Sequence, residues 1–503
     1  MHRIPQAGAR THADRPQRSA PRLRLLALAG LALCASQALA SGYRFGTQSA
    51  AAEGTANSNG AEAADASTIF TNPAGLTRLG KGWHVSGVLD YVDPKVKFTD
   101  AGSYISLPGS GFQPKATSVA GDVVEPTKAT FVPHLYGAYK ASDELAYGLG
   151  IFVPSGAKLD YRPDWGGRYN VNFVELKSLA FNPNVAWKPA KQFSVSAGLT
   201  LEYMHGDIKR AVPYGNAYAA GLLSAAQQAA AAGASGIAVQ LQQQAAQVYA
   251  NPMFDGGVHV KGHDWGLGMN LALLWELDEQ TRVGVAWRSG IRHKLKGSAD
   301  WTQPATLPAN VLAAATGAPY DGKGKLDHND SGASLEVKTP DSLSFHIFHQ
   351  LNKRWALMAD TTWHRQSALE ELRIKFDSTT PPSITPEHWK NVWRASFGAQ
   401  YQFNDQLTLR AGAARDKSPV QGQYRGAALP DSDRDWLAFG LNWKFSAQTS
   451  IDLALGHVKL KDAPMSITDD AEGEKPCNCS NATVRGNYQS KATSIGLQLN
   501  HSF

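Results

Sequence analysis

The 503-residue sequence contains only three cysteines, and one of them, Cys34, lies in a segment that we expect to be removed. The two others, Cys477 and Cys479, are too few for a disulfide framework. After residue 40 no stretch approaches 18 uncharged apolar residues, which argues against a membrane-spanning helix. We find no G-x-S-x-G motif, and the 15 histidines show no spacing typical of metal ligands. These absences argue against a serine hydrolase or a metalloenzyme, and we expect neither a cofactor nor a metal.

The first 40 residues have the composition of an export signal. Six arginines precede an apolar block, LLALAGLALCASQALA, which ends in Ala38-Leu39-Ala40. Small residues in this arrangement are typical of a signal peptidase site, so we expect residues 1–40 to be cleaved off. The alternative, a membrane anchor, would need about 20 apolar residues, and this block is shorter.

The charge balance changes when the export signal is set aside. Residues 1–40 hold six of the 49 lysines and arginines and one of the 43 acidic residues, which leaves 43 basic against 42 acidic side chains. The basic isoelectric point of the full sequence therefore gives no reason to expect a nucleic-acid partner.

From Trp83 to Phe503 the apolar residues recur with a period of two. Near the end, for example, Ile495, Leu497 and Leu499 alternate with polar residues and glycine. Successive side chains of a β-strand point to opposite faces, so such a segment predicts one apolar and one polar face. We count 14 such segments, which begin near Trp83, Phe131, Leu145, Leu176, Phe193, Val258, Thr281, Leu335, Trp355, Trp389, Leu407, Arg434, Ser450 and Lys491.

Six short polar turns alternate with seven long connections between these segments. Short periplasmic turns and long extracellular loops are typical of outer-membrane barrels, and tilted crossings of about 9–11 residues match the segment lengths. We therefore predict an all-β fold, a 14-stranded antiparallel transmembrane β-barrel over residues 83–503, in the outer membrane of a Gram-negative bacterium. The alternative, a soluble β-sandwich or propeller, explains neither the segment lengths nor the alternation of turns.

Aromatic residues near the predicted strand ends support this fold, because interfacial girdles are expected there. They are Trp83, Tyr91, Phe193, Trp275, Trp363, Trp389, Trp393, Tyr401, Phe403 and Phe445. The terminal Phe503 is similar to the C-terminal signal of bacterial outer-membrane barrels, which predicts the barrel assembly machinery as a partner.

Two of the predicted extracellular loops have distinctive sequences. Residues 217–250 are rich in Ala and Gln and predict two short helices, which form either a solubilising cap or a lid with an apolar landing site for ligand. In the last loop, Cys477 and Cys479 fit a local disulfide or a metal pair. With no histidine nearby, an oxidising compartment favours the disulfide.

Residues 41–82 precede the first strand and are rich in Gly, Ala and Asn. A 14-stranded barrel has a lumen that its own side chains cannot fill, because a barrel of about eight strands already has an interior that side chains only just fill. We therefore predict that this segment is a plug, or hatch, inside the lumen, with Asn72-Pro73-Ala74 as its turn. A disordered periplasmic tail is the alternative, but Ile69, Phe70 and Leu76 need burial.

The sequence resembles the long-chain fatty acid transporter family of Gram-negative outer membranes, which includes the toluene and xylene uptake channels. The similarity covers nearly all of the predicted mature chain. It is carried by SGYRF at residue 41, DASTIFTNPAGL at 65, WGGRY at 165, NPNVAWKP at 182, WGLGMNLALLWELDEQTRVGVAWRS at 265, LEELRIKF at 369 and the segment from DKSPV to LPDSDRDWLAFG at 416–440.

The resemblance implies a ligand pocket and a lateral exit through the barrel wall. It implies ligand contacts from Ser41, Gly42 and Tyr43 at the start of the hatch. It also implies a cationic partner for a ligand carboxylate at Arg210 and Arg373, although arginines near strand ends are commonly interfacial anchors. The implied exit lies beside a kinked third strand, for which Pro154 and Gly156 are the candidates, because Pro154 cannot donate to a β-ladder and Gly156 weakens one.

The predicted function is passive uptake of long-chain fatty acids or similar hydrophobic molecules, with lateral release into the bilayer and no enzymatic activity. The expected partners are a hydrophobic small molecule, the lipid bilayer and lipopolysaccharide, and we expect a monomer. The alternatives are an uptake channel for aromatic hydrocarbons, an outer-membrane lipolytic enzyme, and an adhesin or phage receptor.

Overall fold

The computed structural model of the chain describes Arg44 and residues 46–304, 328–474 and 476–503. The predicted export signal, residues 1–40, and the predicted ligand contacts Ser41, Gly42 and Tyr43 lie outside these residues.

One sheet contains all 23 described β-strands. The strands are β1 Gly82–Asp100, β2 Tyr104–Ile105, β3 Lys115–Ala116, β4 Val123–Val124, β5 Thr130–Lys140, β6 Leu145–Phe152, β7 Gly156–Asp160, β8 Phe173–Ala190, β9 Phe193–Pro213, β10 Asp255–Glu276, β11 Thr281–Arg288, β12 Arg292–Thr302, β13 Ser331–Lys338, β14 Ser342–Gln350, β15 Trp355–His364, β16 Glu371–Phe376, β17 Ser383–Pro386, β18 Val392–Gln402, β19 Leu407–Asp416, β20 Arg434–Lys444, β21 Thr449–Leu460, β22 Ala463–Thr468 and β23 Ala482–Ser502.

These strands build a closed antiparallel barrel of fourteen staves. Six staves are interrupted and consist of two strands each, namely β6/β7, β11/β12, β13/β14, β15/β16, β17/β18 and β21/β22, while β2, β3 and β4 belong to the first extracellular loop. The barrel closes where β1 pairs with β23, from His84 opposite Ser502 to Asp100 opposite Gly486. The predicted 14-stranded barrel is confirmed.

The outer surface of the barrel is an apolar belt bounded by aromatic residues. Residues such as Leu267, Leu199 and Phe439 project from it and are more than half exposed. At the periplasmic edge the ring centres of Trp83 and Tyr139 lie 4.8 Å apart. At the extracellular edge the rings of Tyr91 and Phe131 are in contact at 5.2 Å, and so are the rings of Tyr203 and Trp265 at 5.2 Å. Apolar side chains facing lipid and rings at both interfaces are what an outer-membrane barrel requires.

Trp389 does not belong to this girdle, and its prediction as an interfacial residue is wrong. It lies between β17 and β18, where the tenth stave is interrupted, and it is only 3 % exposed. Its side chain packs against Leu369 and Val420 inside the barrel. The chain leaves the sheet there, so the period of two no longer sets the direction of the side chain.

The third long extracellular loop carries two helices, α3 Tyr214–Ala231 and α4 Ser235–Val248. They pack on each other and on Leu107 and Phe112 of the first loop. None of the helices in the described part of the chain is long and apolar enough to cross a membrane. Short 3₁₀ turns lie at Pro73–Arg78, Pro252–Phe254, Gln366–Ala368, Gly422–Tyr424 and Ala471–Gly473.

Residues 46–79 of the hatch are packed against the inner wall of the barrel, and most of them are buried. They contain two short helices, α1 Ala50–Glu53 and α2 Thr68–Thr71, and the 3₁₀ turn Pro73–Arg78. Helix α1 contacts β20, β21 and β23, whereas the 3₁₀ turn contacts β6, β8, β9 and β10. The hatch therefore spans the lumen from one side to the other.

Wall side chains complete the hydrogen bonding of this irregular segment. Arg282 Nε donates to Ala61 O at 2.9 Å, Arg288 Nη2 donates to Phe70 O at 2.8 Å, and Arg394 Nη2 donates to the carbonyl of Ala56 at 2.7 Å. Buried backbone carbonyls need partners, and a segment with little regular structure supplies few of its own. These three arginines therefore anchor the hatch.

The backbones of the wall and the hatch come close together at two wall glycines. A Cβ at Gly412 would lie 2.2 Å from the carbonyl carbon of Thr55, and one at Gly440 would lie 2.8 Å from the Cα of Gly54. Only a residue without a side chain permits this contact between two backbones.

Candidate binding and exit sites

The third stave, β6/β7, is interrupted at residues 153–155 in a way that opens the barrel wall. Strand β6 pairs with both β5 and β8, but β7 pairs only with β8 among the described strands. The outer part of β5, from Thr130 to His134, therefore pairs with β1 but has no strand on its other side. We call this break the wall gap.

Pro154 lies in the wall gap and Gly156 is the first residue of β7. Pro154 has no N–H to give to a ladder, so β5 cannot pair with this stave there. A Cβ at Gly156 would meet nothing closer than 3.9 Å, so its lack of a side chain is not a steric requirement. The described residues bridge the gap with isolated bonds, Val153 N to His134 Nδ1 at 3.3 Å and Asp160 N to Pro126 O at 2.8 Å.

The first described residues of the hatch lie against the wall gap. Arg44 forms an isolated antiparallel bridge with Ser155, and Gln48 Nε2 donates to Val153 O at 2.8 Å. A movement of the hatch start would therefore change the bonding at the gap directly. The predicted ligand contacts Ser41, Gly42 and Tyr43 immediately precede Arg44, and their role stays a prediction.

A cavity of about 90 Å³ lies between the hatch and the inner wall, and we call it the luminal cavity. Three arginines line it, Arg44, Arg288 and Arg394, together with Phe70 and Trp436. Arg44 Nη1 lies 2.9 Å from His364 Nδ1. The carboxylates of Asp360 and Asp416 also line the cavity. Cations beside apolar rings can hold the polar end and the apolar part of one amphiphilic ligand.

A second cavity of about 90 Å³ lies nearer the extracellular loops, and we call it the external cavity. Its lining is mainly aliphatic, with Ile208, Val258, Ile374, Ile384 and Ile467 among the lining residues. These side chains come from β9, β10, β16, β17 and β22. They occupy inward-facing positions of these strands and so meet in the lumen. The cavity is suited to a greasy chain, because each buried CH₂ contributes about 0.8 kcal/mol.

Arg210 lies in the wall of the external cavity and already has an ionic partner. Its Nη1 donates to Asp469 Oδ2 at 3.0 Å, its Nη2 donates to Asn478 O at 2.7 Å, and the side chains of the pair are each 10 % exposed. The residue is therefore in a position to meet a ligand, but a carboxylate would compete with Asp469.

Arg373 lies on the opposite face of β16 from the external cavity. Its neighbours Leu372 and Ile374 line the cavity, whereas Arg373 itself donates to Glu371 at 2.5 Å and to Glu474 at 2.9 Å. Its side chain is 27 % exposed. Its predicted contact with ligand would need a rearrangement of these two pairs and stays a prediction.

Glu387 is a further acidic residue in the external cavity, and the sequence did not point to it. It lies beyond the membrane belt and is 2 % exposed, and Trp389 Nε1 donates to its Oε2 at 2.7 Å. Burial raises the pKa of the Glu387 carboxyl to about 8, and the bond from Trp389 opposes this only in part. Near neutral pH the group is therefore mainly an uncharged acid.

Leu369, Trp389 and Val420 form what we call the inner constriction. This cluster contacts Leu372 of the external cavity, and it also contacts Ala157 of β7 and Leu176 of β8, next to the wall gap. It therefore touches both the external cavity and the region of the exit. The interruptions of the ninth and tenth staves make this possible, because they turn the chain into the lumen.

The predicted hatch turn is packed against the wall on the far side. Asn72 Oδ1 accepts from Ala74 N at 3.2 Å and caps the 3₁₀ turn that begins at Pro73, and Asn72 Nδ2 donates to Leu273 O at 3.0 Å.

Cys477 and Cys479 are joined by a disulfide in the last extracellular loop. Within the residues that the structure describes, no group of three or more His, Cys, Asp or Glu side chains could hold a metal ion.

Residues 31–503 match the family model described as outer membrane protein transport protein (OMPP1/FadL/TodX). A putative outer membrane protein of Neisseria meningitidis serogroup B is 34 % identical over 490 residues, which cover 95 % of this chain and 97 % of the relative. The long-chain fatty acid transport protein of Escherichia coli K12 is 26 % identical over 461 residues, 88 % of this chain and 94 % of that protein.

Solved structures share the fold. A Pseudomonas aeruginosa FadL homologue superimposes with a TM-score of 0.75 at 22 % identity over 92 % of this chain and 100 % of that one. The Pseudomonas putida toluene transporter TodX gives a TM-score of 0.57 at 18 % identity over 87 % and 94 % of the two chains. The match of the family model to nearly the whole sequence, the barrel and the relative from Neisseria together show that this chain belongs to the OMPP1/FadL/TodX family of outer-membrane transport proteins for hydrophobic molecules.

Proposed function

We propose that the protein takes up long-chain fatty acids or similar amphiphiles and releases them sideways into the outer membrane. The observation that carries this proposal is the wall gap at Pro154, which faces the lumen beside the hatch. Ligand enters the external cavity, passes the inner constriction and leaves through the gap. Transport of this kind is passive, since it needs only an apolar path and an exit.

The cations along this path favour a ligand with a carboxylate. Arg210 can exchange Asp469 for a ligand carboxylate in the external cavity. Deeper in the lumen, Arg44, Arg288 and Arg394 can take over the same group, because a partly desolvated carboxylate needs a charged donor. The names of relatives such as the Escherichia coli protein agree with this ligand class.

Both cavities are smaller than the roughly 150 Å³ that holds a benzene molecule in a protein core. Each cavity measures about 90 Å³. Binding of a long acyl chain therefore requires that the walls move. The inner constriction and the start of the hatch are the elements that we expect to move, since each contacts a cavity and the wall gap region.

An aromatic hydrocarbon is the second candidate ligand. One observation favours it: Arg210 is already neutralised by Asp469, so the external cavity offers an uncharged ligand an aliphatic lining without an exposed ion. Uptake of toluene and of oleate by the same cells would separate the two candidates. Toluene uptake without oleate uptake would overturn the fatty-acid proposal.

The lateral exit can be tested by locking the wall gap. Val132 of β5 and Val153 are in contact across it, so cysteines at both positions can be joined by oxidation. We expect oxidised protein in lipid vesicles to bind oleate but to release little of it into the bilayer, and reduction to restore release. Equal release before and after oxidation would contradict exit through the gap.

A cysteine pair at Tyr139 and Tyr147 is the matched control. These residues are directly opposite each other where β5 and β6 are already paired, so a cross-link there leaves the gap as it is. The same oxidation and reduction also act on Cys477 and Cys479, and this control includes that effect.

A further inference from the structure

Three lysines lie side by side on the outer wall of the barrel. Lys95 on β1 is directly opposite Lys491 on β23, and Lys491 is directly opposite Lys459 on β21. All three are exposed, and their neighbours along each strand, such as Val96, Val458 and Ala492, are buried. The three ammonium groups therefore project from the same face of three neighbouring strands.

This lysine row lies just above the apolar belt. Each lysine is four residues along its strand from an outward apolar residue, namely Tyr91, Ile495 and Leu455. Four residues correspond to about 13 Å along a strand, or about 10 Å along the membrane normal at the tilt of such barrels. Because Tyr91 belongs to the extracellular girdle, the lysine row is at the level of the outer-leaflet headgroups.

Neighbouring acids balance the positive charge of the row only in part. Asp93 lies 3.0 Å from Lys95, and Asp435, the next residue along the row beyond Lys459, lies 3.6 Å from Arg415. Neither Lys459 nor Lys491 has a carboxylate within 4.0 Å in the described part of the chain. Like charges directly opposite each other destabilise a sheet, so an anion that bridges them would be favoured.

Some other outward lysines also have an acidic neighbour. Lys294 on β12 is directly opposite Glu336 on β13, and Lys338 lies 3.7 Å from Asp341. The lysine row differs because three lysines lie directly next to one another on three neighbouring strands.

We propose that Lys95, Lys459 and Lys491 bind the phosphate groups of a phosphorylated glycolipid of the outer leaflet, which in this membrane is lipopolysaccharide. Lysine acts on phosphate as a point charge and does not require a fixed geometry. The acyl chains of the same lipid would lie on the apolar belt directly below the row. This site is on the outer wall and is independent of the transported ligand.

Binding of diphosphorylated lipid A to the delipidated, detergent-solubilised full-length protein tests this proposal. The variant K95Q/K459Q/K491Q removes the row, and K191Q/K353Q/K444Q removes the same charge from exposed lysines at periplasmic strand ends. We expect the first variant to bind lipid A at least ten-fold more weakly than wild type in native mass spectrometry and the second variant to bind it normally. Lipid A without phosphates should bind wild type as weakly as the first variant binds the intact lipid.

Three results would overturn the proposal. They are unchanged binding to K95Q/K459Q/K491Q, an equal loss in the control variant, and equal binding of dephosphorylated lipid A. Displacement of lipid A by millimolar inorganic phosphate would assign the site to a free anion instead. Heat-modifiable migration on gels verifies that each barrel is folded, and the single variant K491Q, with an expected loss of about three-fold, replaces the triple variant if the latter does not assemble.

Discussion

Replacing Asp469 by Asn tests whether Arg210 recognises a ligand carboxylate. In the structure Arg210 Nη1 donates to Asp469 Oδ2 at 3.0 Å in a setting where each side chain is only 10 % exposed. The substitution removes the competing charge but keeps an oxygen for the bonds that Asp469 accepts from Ser480. Arg210 is then available to an incoming carboxylate.

The expected gain in oleate affinity follows from the hydrogen bond that Arg210 can donate to the ligand carboxylate. A hydrogen bond to a charged group contributes about 1.5–3 kcal/mol net, and about 1.4 kcal/mol corresponds to a factor of ten in affinity. We therefore expect Asp469→Asn to strengthen oleate binding by roughly ten-fold or more. The affinity for oleyl alcohol, which has the same chain and no charge, should not change. Replacing Arg210 by Met in the Asp469→Asn background should remove the gain.

Calorimetric titration of both ligands in detergent measures these effects. Asp300→Asn is the matched control, since Asp300 pairs with Lys261 at 3.4 Å on the exposed outer surface and not in the cavity. If oleate and oleyl alcohol gain equally, or if oleate binding does not change, Arg210 is not the carboxylate partner.

Three further outcomes are expected. Gly412→Val should push Thr55 away and destabilise the hatch by about 1–3 kcal/mol, seen as increased ion conductance in planar bilayers, whereas Gly87→Val, where a Cβ meets nothing within 4 Å, should leave the conductance low. The free energy of unfolding of wild type, relative to that of Glu387→Gln, should fall as pH rises from about 5 to about 8. The reason is that the carboxyl of Glu387 loses its proton first in the unfolded chain, whereas the buried acid, with a pKa of about 8, retains it. A difference between the two proteins in chemical denaturation that does not change with pH would refute this. Trp389→Ala should cost about 3–5 kcal/mol of stability and speed toluene uptake through the widened constriction, and an unchanged uptake rate would show that the constriction does not limit passage.

The barrel could be predicted because its signal is periodic and repeated. Alternation in 14 segments fixed which residues face lipid, and the girdle residues followed from it. Trp389 was misassigned for the same reason: alternation holds only while the chain stays in the sheet, and at residues 387–391 the chain leaves it. The prolines at 381, 382 and 386 are a local signal that could have pointed to this break.

The candidate sites were only partly accessible to sequence reasoning. Arg210 and Pro154 were found through the family resemblance, but the pairing of Arg210 with Asp469 joins residues 259 positions apart, which no local pattern contains. Arg288 and Arg394 lie on the polar faces of β11 and β18 and look like ordinary lumen residues. Their contact with hatch carbonyls depends on how the hatch is folded, and its irregular backbone has no period to read.

The joint between β1 and β23 has a consequence for how the molecule is made. Helix α1 touches β20, β21 and β23, and Ser494 Oγ donates to Glu53, so this helix of the hatch finds these partners only on the last strands to be synthesised. The leading segment must wait for the tail of the polypeptide, and it must already be enclosed when the two ends of the sheet zip together. If β1 and β23 paired before the hatch was enclosed, the hatch would remain outside the barrel and the lumen would stay open across the membrane.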